Sequence, residues 1–170
     1  TDQEAYHLVD YVIFMVPHVH DMNDYLFGPH SIIPKLNPAA TAIYMGTGSP
    51  TEVKETARRL EKLNADFLDA PVSGGIAKAE SGELSIIVGG EKSVYNRAIP
   101  LFQVLGNRIF HVGPPGTAQT IKLINNLLTG VNLAAACEAM LLGSRAGVDP
   151  ETLLKIINCS SGQSYSSHVK

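Results

Sequence analysis

Short apolar runs alternate with amphipathic segments along the first two thirds of the chain. Continuous apolar runs are typical of strands that are buried on both faces of a parallel sheet. The pattern predicts helices at 50–63 and 93–106, and strands at 11–17, 41–47, 65–72, 84–90 and 108–113. Strands and helices that alternate at this spacing indicate an α/β sheet with helices on its faces.

The pattern changes after residue 113. From residue 117 to about 146 nearly every position favours a helix, which predicts one long helix of roughly 45 Å. Most of its positions between Ile121 and Leu142 are apolar, so this helix should be buried on several sides. The chain therefore divides into an α/β domain over 1–113 and the start of a helical domain over 114–170.

Composition narrows the class of protein. Hydrophobic residues make up 45% and charged residues 17% of the 170 residues, which predicts a folded chain. The net charge is −3 and Lys and Arg do not cluster in the sequence, so the chain lacks the basic patch that is typical of nucleic-acid-binding proteins. The apolar runs near the start are too short to cross a bilayer, so we expect neither a nucleic acid nor a membrane as partner.

Two cysteines, Cys137 and Cys159, lie far apart in the sequence. Their spacing matches neither a disulfide framework nor a zinc site. A reducing compartment is therefore expected, and we predict a cytoplasmic location with the mitochondrial matrix as the alternative.

One polar stripe interrupts the long apolar helix. Lys122, Asn125, Asn126 and Thr129 are spaced i, i+3, i+4 and i+7, which places them on one helix face. Such a stripe can simply be a solvated face. A solvated face usually carries several charges, however, whereas one ammonium and two amides also suit a cleft for a small polar substrate. A buried lysine in such a cleft can exchange protons near neutral pH.

The third predicted strand ends in "DAPVSGG". Gly74 and Gly75 allow a positive φ and a close backbone approach, and Ser73 adds a hydroxyl donor beside free N–H groups. By itself this motif also fits a plain turn. Together with the Lys122 stripe it predicts a site for a bound anion.

Two other motifs are rejected as functional sites. The "GPPGTAQT" segment resembles a phosphate-binding P-loop, but Ala118 replaces its glycine and Gln119 replaces its lysine. His18, His20 and Asp21 lie close together, but the two histidines lack a third ligand at motif spacing. We therefore predict no metal site and interpret the histidine segment as a surface loop.

The segments "FLDAPVSGGIAKAESGELSIIVGG" and "GPPGTAQTIKLINNLL" closely resemble the β-hydroxyacid dehydrogenase family. This family includes 3-hydroxyisobutyrate, tartronate semialdehyde and L-threonate dehydrogenases or reductases, with 6-phosphogluconate dehydrogenase as a distant relative. The resemblance implies a partial doubly wound (Rossmann-type) parallel sheet followed by an all-α domain with one long helix. It further implies NAD or NADP as cofactor, a short β-hydroxy acid as substrate, and a homodimer or homotetramer.

The resemblance also implies roles for individual residues. Lys122 would be the catalytic acid/base, and Asn126 would orient the substrate. The substrate carboxylate would lie against Ser73, Gly74 and Gly75. The dinucleotide would touch Val16, Pro17 and Thr47.

The chain departs from the family in three respects. The strand–GxGxxG–helix unit that holds the pyrophosphate is not present, nor are the family's further helices, so we expect a fragment that binds the dinucleotide weakly by itself. Thr129 stands where the decarboxylating relative has a glutamate, which favours oxidation without decarboxylation. The alternative function is a non-catalytic dehydrogenase-like module for binding or oligomerisation.

Overall fold

A computed structural model describes residues 3–168 of the chain. Six strands are formed: β1 Tyr11–Phe14, β2 Thr41–Tyr44, β3 Asp66–Asp69, β4 Val72–Ser73, β5 Leu84–Gly89 and β6 Gly106–Gly113. The α-helices are α1 Val19–Phe27, α2 Pro50–Glu61, α3 Gly75–Glu80, α4 Lys92–Leu105, α5 Thr117–Arg145, α6 Pro150–Asn158 and α7 Tyr165–His168. Two short 3-10 helices cover Gln3–Leu8 and Ile33–Lys35.

The strands form one mixed sheet. Strands β1, β2 and β3 are parallel neighbours, whereas β5 runs antiparallel to β3 and carries β4 and β6 as its other partners. The register aligns Phe14 with Tyr44 and Tyr44 with Asp69. The predicted fold class is confirmed, and the three parallel strands end at one common edge of the sheet.

Apolar side chains cover both faces of this sheet. One core cluster contains Ile43 and Leu68 and packs against α4 through Phe102. The other contains Tyr44 and Phe67 with side chains of α1 and α2. Neighbouring residues of one strand therefore enter opposite cores, because successive side chains of a strand point to opposite faces. This is why the strands are continuously apolar in sequence.

Helix α2 begins as its sequence predicts. Ser49 is the N-cap, and its hydroxyl accepts the Glu52 N–H at 3.4 Å. The buried face contains Val53 and Leu60, with Thr56 rather than Ala57 as its third fully buried residue. The hydroxyl of Thr56 donates to the Glu52 carbonyl, so this polar side chain is satisfied inside the core.

The interpretation of residues 18–21 as a surface loop was wrong, because α1 begins at Val19. The Asp21 carboxylate accepts the His18 N–H at 3.1 Å and so caps the first turn. Val19, Met22 and Leu26 form its buried face. Their spacing of three and four residues is the helical signal that the two histidines obscured.

The chain forms two compact units, one up to Lys122 and the other from Leu123 onward. Helix α5 contributes residues to both. In the first unit, Ala118, Gln119 and Lys122 are its buried residues.

The expected burial of α5 on several sides does not occur within this chain from Leu123 onward. Leu127 is 65% exposed and Leu142 is 70% exposed. Helix α5 is also long and apolar enough to cross a membrane, with a mean hydropathy of 1.4 over an 18-residue window. By length and composition alone, one such helix is weak evidence for a membrane protein.

Candidate active site at the strand ends

The carboxyl ends of β1, β2 and β3 form the candidate site. Ligands of open α/β sheets bind outside the carboxyl ends of parallel strands. Here the final residues Phe14, Tyr44 and Asp69 are aligned by the strand register. Each strand is followed by a loop that contains residues singled out from the sequence.

The loops after β1 and β2 are in direct contact. The Met45 N–H donates to the Phe14 carbonyl at 2.9 Å. A Cβ at Gly46 would lie 2.5 Å from the carbonyl oxygen of Val16, so only glycine fits beside that carbonyl. The structure therefore brings Val16 close to the segment that contains Thr47, as expected for two parts of one binding surface.

Tyr44 lies under the segment Gly46–Gly48, which we call the glycine loop. Its side chain is fully buried, and a Cβ at Gly46 or Gly48 would approach its hydroxyl to 2.8 or 3.1 Å. Burial, followed by the charges of Asp21 and Glu52, raises the pKa of this phenol. Because the ring occupies this space, a Cβ at either glycine would collide with it, and Thr47 lies between the two glycines half-buried.

The third loop leads from β3 into the Ser73-Gly74-Gly75 segment. Ser73 ends β4, where it pairs with Ser85 of β5, and α3 begins at Gly75. Gly74 has a φ of 140° and Gly75 a φ of 70°, conformations that other residues adopt only with strain. The segment is thus a strand-to-helix junction rather than a hairpin turn, and its two glycines are required by backbone geometry.

Asp69 binds the start of α5. Its Oδ1 accepts the Gly116 N–H at 3.0 Å and its Oδ2 accepts the Gln119 N–H at 3.3 Å. The carboxyl is fully buried, and burial raises its pKa to about 6 although these backbone donors lower it. Gly89 packs directly against Oδ1, where a Cβ would collide. A carboxylate at the first turn also complements the helix dipole, so Asp69 fixes α5 to the end of β3.

Gln119 connects the same helix to the glycine loop. Its Nε2 donates to the Gly46 carbonyl at 3.1 Å, and its Oε1 accepts the Gly48 N–H at 2.9 Å. The side chain has no exposed surface. One residue therefore joins the loop after β2 to the helix that carries Lys122.

Lys122 lies one turn beyond Gln119 and is 9% exposed. Burial lowers the pKa of its ammonium, which suits a group that must both release and accept a proton. Ser73 follows Asp69 by four residues, and Asp69 is hydrogen-bonded to Gln119. This hydrogen bond joins the segment that leads to Ser73 to the helix that carries Lys122.

The other polar residues of the stripe belong to the second unit. Asn125, Asn126 and Thr129 are exposed there, and the Thr129 hydroxyl donates to the Asn125 carbonyl at 3.0 Å. Of the four residues in the stripe, Lys122 is the buried one. The predicted role of Asn126 stays a prediction.

Asp69 and Gln119 were not predicted from the sequence as parts of the site. Gln119 was considered only as a departure from a P-loop. A charged residue at the end of an otherwise apolar strand was the available signal for Asp69. A polar residue one turn before a candidate catalytic lysine was the corresponding signal for Gln119.

A groove of about 700 Å³ lies elsewhere in the first unit, beside α2. Charges of both signs line it, among them Lys54, Arg58, Glu61 and Glu91. None of these four side chains is buried, whereas the strand ends hold a buried lysine and a buried carboxyl. The strand ends are therefore the better candidate site. Within residues 3–168, no three His, Cys, Asp or Glu side chains are grouped to hold a metal ion.

Comparison with known families defines the class of protein. Residues 1–113 match the family described as the NAD binding domain of 6-phosphogluconate dehydrogenase. Residues 116–170 match the family described as "NAD-binding of NADP-dependent 3-hydroxyisobutyrate dehydrogenase". Both matches describe dinucleotide-binding oxidoreductases, in agreement with the fold.

Curated relatives agree with these matches. The 2-(hydroxymethyl)glutarate dehydrogenase of Eubacterium barkeri is 35% identical over 161 residues, which are 95% of this chain and 54% of the relative. The 2-hydroxy-3-oxopropionate reductase of Escherichia coli is 41% identical over 141 residues, which are 83% of this chain and 48% of the relative. The chain thus spans about half the length of the curated relatives that it matches.

Solved structures give the same result. The 3-hydroxyisobutyrate dehydrogenase of Mycobacterium tuberculosis, solved with L-serine, has a TM-score of 0.89 at 30% identity. The match covers 99% of this chain and 57% of the dehydrogenase chain. Psf3 in complex with NADP+ has a TM-score of 0.86 at 26% identity over 94% of this chain and 57% of Psf3. The chain belongs to the β-hydroxyacid dehydrogenase family.

Proposed function

We propose that the whole protein transfers a hydride between NAD or NADP and a short β-hydroxy acid such as a 3-hydroxyisobutyrate-, glycerate- or threonate-like substrate. The buried Lys122, on a helix that Asp69 fixes to the sheet, is the observation that carries this proposal. The similarity of this chain to a 2-(hydroxymethyl)glutarate dehydrogenase and a 2-hydroxy-3-oxopropionate reductase supports this proposal.

In this proposal Lys122 is the acid/base. A bound nicotinamide supplies the hydride acceptor or donor. Lys122 in its neutral form removes the hydroxyl proton during oxidation, and its ammonium returns that proton to the carbonyl oxygen during reduction. The pKa lowered by burial increases the neutral fraction that oxidation needs. Thr129 stands where the decarboxylating relative has a glutamate, which favours oxidation without decarboxylation.

The remaining predicted residues bind and orient. The substrate carboxylate lies against Ser73, Gly74 and Gly75, which holds the reacting carbon in line with the cofactor, and Asn126 orients the substrate. The dinucleotide contacts Val16, Pro17 and Thr47; the close approach of Gly46 to the Val16 carbonyl, which brings the first two loops together, supports this part. Residues 1–113 act as part of the dinucleotide-binding domain and 114–170 as the start of the substrate domain. We propose a cytoplasmic location for the whole protein, with the mitochondrial matrix as the alternative.

We expect Ser73→Ala to raise the KM for the hydroxy acid about 10- to 150-fold and to change kcat less. A hydrogen bond to a charged group contributes about 1.5–3 kcal/mol, and this contact is made in the ground state as well as in the transition state. Dinucleotide reduction by the whole protein with 3-hydroxyisobutyrate measures both constants.

Ser93→Ala, at an exposed serine of α4, is the matched control and should leave both constants unchanged. Equal KM values for the Ser73 variant and the native enzyme would exclude Ser73 from substrate binding.

We also propose that the protein self-associates as a homodimer or homotetramer through α5. Large apolar side chains of this helix, including Leu127 and Leu142, are more than half exposed, and exposed apolar surface of this extent favours association. Light scattering of the 170-residue chain should give more than the monomer mass. Leu127→Glu should shift the mass toward the monomer, whereas Val104→Glu, at a 75% exposed residue of α4, should not. A monomer at every concentration would contradict this proposal.

A further inference from the structure

We propose that Gln119, held by Asp69, is a positioning residue that fixes the glycine loop against the lysine-bearing helix and thereby sets the affinity for the dinucleotide. The inference rests on the proposed function. It assigns a role to two buried side chains that touch neither the reacting oxygen nor the hydride in that mechanism.

Both polar atoms of the Gln119 side-chain amide form hydrogen bonds. Its Nε2 donates to the Gly46 carbonyl and its Oε1 accepts the Gly48 N–H. If the amide were rotated by half a turn, its NH₂ group would face the Gly48 N–H, which is also a donor, and its oxygen would face the Gly46 carbonyl, which is also an acceptor. The two backbone partners therefore define the orientation of the amide. These two bonds hold the backbone on both sides of Thr47, the loop residue expected to contact the dinucleotide.

Asp69 binds the backbone of Gln119. Its Oδ2 accepts the Gln119 N–H and its Oδ1 accepts the Gly116 N–H. The backbone of Gln119 is therefore tied to β3 while its side chain is tied to the loop after β2. Lys122 follows three residues later, a rise of roughly 4.5 Å along the helix.

Packing alone does not explain this choice of residue. A methionine or leucine would fill the space but would leave the Gly46 carbonyl and the Gly48 N–H unpaired beside Tyr44. An unpaired buried polar group is costly, so the loop would move to find water. Its position relative to α5 would then no longer be defined.

The experiment uses Gln119→Met and Gln119→Glu in the whole protein, with Gln103→Met at an exposed glutamine of α4 as the matched control. Calorimetric titration with NAD+ and with NADP+ gives the Kd, and hydrogen exchange reports the amides of residues 46–48. For Gln119→Met we expect about tenfold faster exchange of the Gly48 amide and about tenfold weaker binding of the dinucleotide, the loss of one net hydrogen bond each. The control should change neither.

Gln119→Glu separates hydrogen bonding from packing. A protonated carboxyl can donate to the Gly46 carbonyl and accept from the Gly48 N–H, whereas a carboxylate repels the carbonyl. Binding by this variant should therefore approach the native Kd at acidic pH and weaken as pH rises, relative to the native protein at each pH. This variant also tests the proposal if Gln119→Met does not fold.

Native Kd values for Gln119→Met, unchanged Gly48 exchange, or pH-independent binding by Gln119→Glu relative to the native protein would each overturn the proposal. Neither readout requires turnover. Failure of Lys122 as acid/base would therefore contradict the proposed function while leaving the role of Gln119 to be decided by binding and exchange.

Discussion

Lys122→Ala should lower kcat of the whole protein about 10²–10⁴-fold, the usual contribution of a positioned acid/base. Lys122 is buried and carries a lowered pKa, so it is suited to exchange a proton with the substrate hydroxyl. The dinucleotide Kd should barely change, because the lysine acts on the reacting oxygen. Steady-state kinetics together with calorimetric titration measure both quantities.

Lys122→Arg is the control that separates proton transfer from charge. Arginine keeps the positive charge but does not lose its proton near neutral pH. We therefore expect Lys122→Arg to be about as inactive as Lys122→Ala, whereas a purely electrostatic role would leave it active. Native turnover by Lys122→Ala would exclude the proposed mechanism, and the alternative of a non-catalytic module would then be favoured.

Asp69 should make the free energy of unfolding depend on pH in an unusual direction. Burial raises its pKa from 3.8 to about 6 in the folded chain. Between these values the folded state binds more protons than the unfolded state, so stability falls as pH rises through this window. The contribution of Asp69 to the free energy of unfolding is fully present below the pKa of the unfolded state and is lost as the pH rises through about 6. The loss is about 3 kcal/mol at most, at about 1.4 kcal/mol per pKa unit.

Asp69→Asn removes this titration. The difference in unfolding free energy between native chain and variant should therefore change by up to about 3 kcal/mol between pH 4 and pH 7, with the native chain relatively more stable at the acidic end. Urea unfolding at a series of pH values measures it. Asp24→Asn, at an exposed residue of α1, is the matched control. Parallel pH profiles for Asp69→Asn and the native chain would contradict the raised pKa.

At neutral pH the same substitution also has a structural cost. An asparagine offers one acceptor where Asp69 receives two N–H groups, from Gly116 and Gln119. One backbone donor at the start of α5 would lose its partner, at a cost of about 1–3 kcal/mol. Removal of the buried charge acts in the opposite direction, which is why the slope with pH, rather than stability at one pH, is the informative quantity.

Most elements could be predicted from the sequence because their signals are local. The predicted long helix from residue 117 to about 146 is observed as Thr117–Arg145, since no strong breaker lies inside it. The apolar runs marked the strands, although β1 and β2 end at Phe14 and Tyr44. The residues beyond these ends form the loops of the candidate site. Helix α1 was missed because two histidines hid a short apolar face.

The sequence by itself determined the strand and helix alternation, the two positive-φ glycines after Ser73, and the motifs that indicate the family. Each of these features depends on residues that lie close to each other in the sequence. Only the tertiary structure decided what holds the site together: Asp69 meets Gly116 across 47 positions, and Gln119 meets Gly46 across 73. It also decided that Lys122 is the buried member of its stripe. Such pairings depend on strand order and register, because these determine which backbone groups lie within hydrogen-bonding distance of a buried polar side chain.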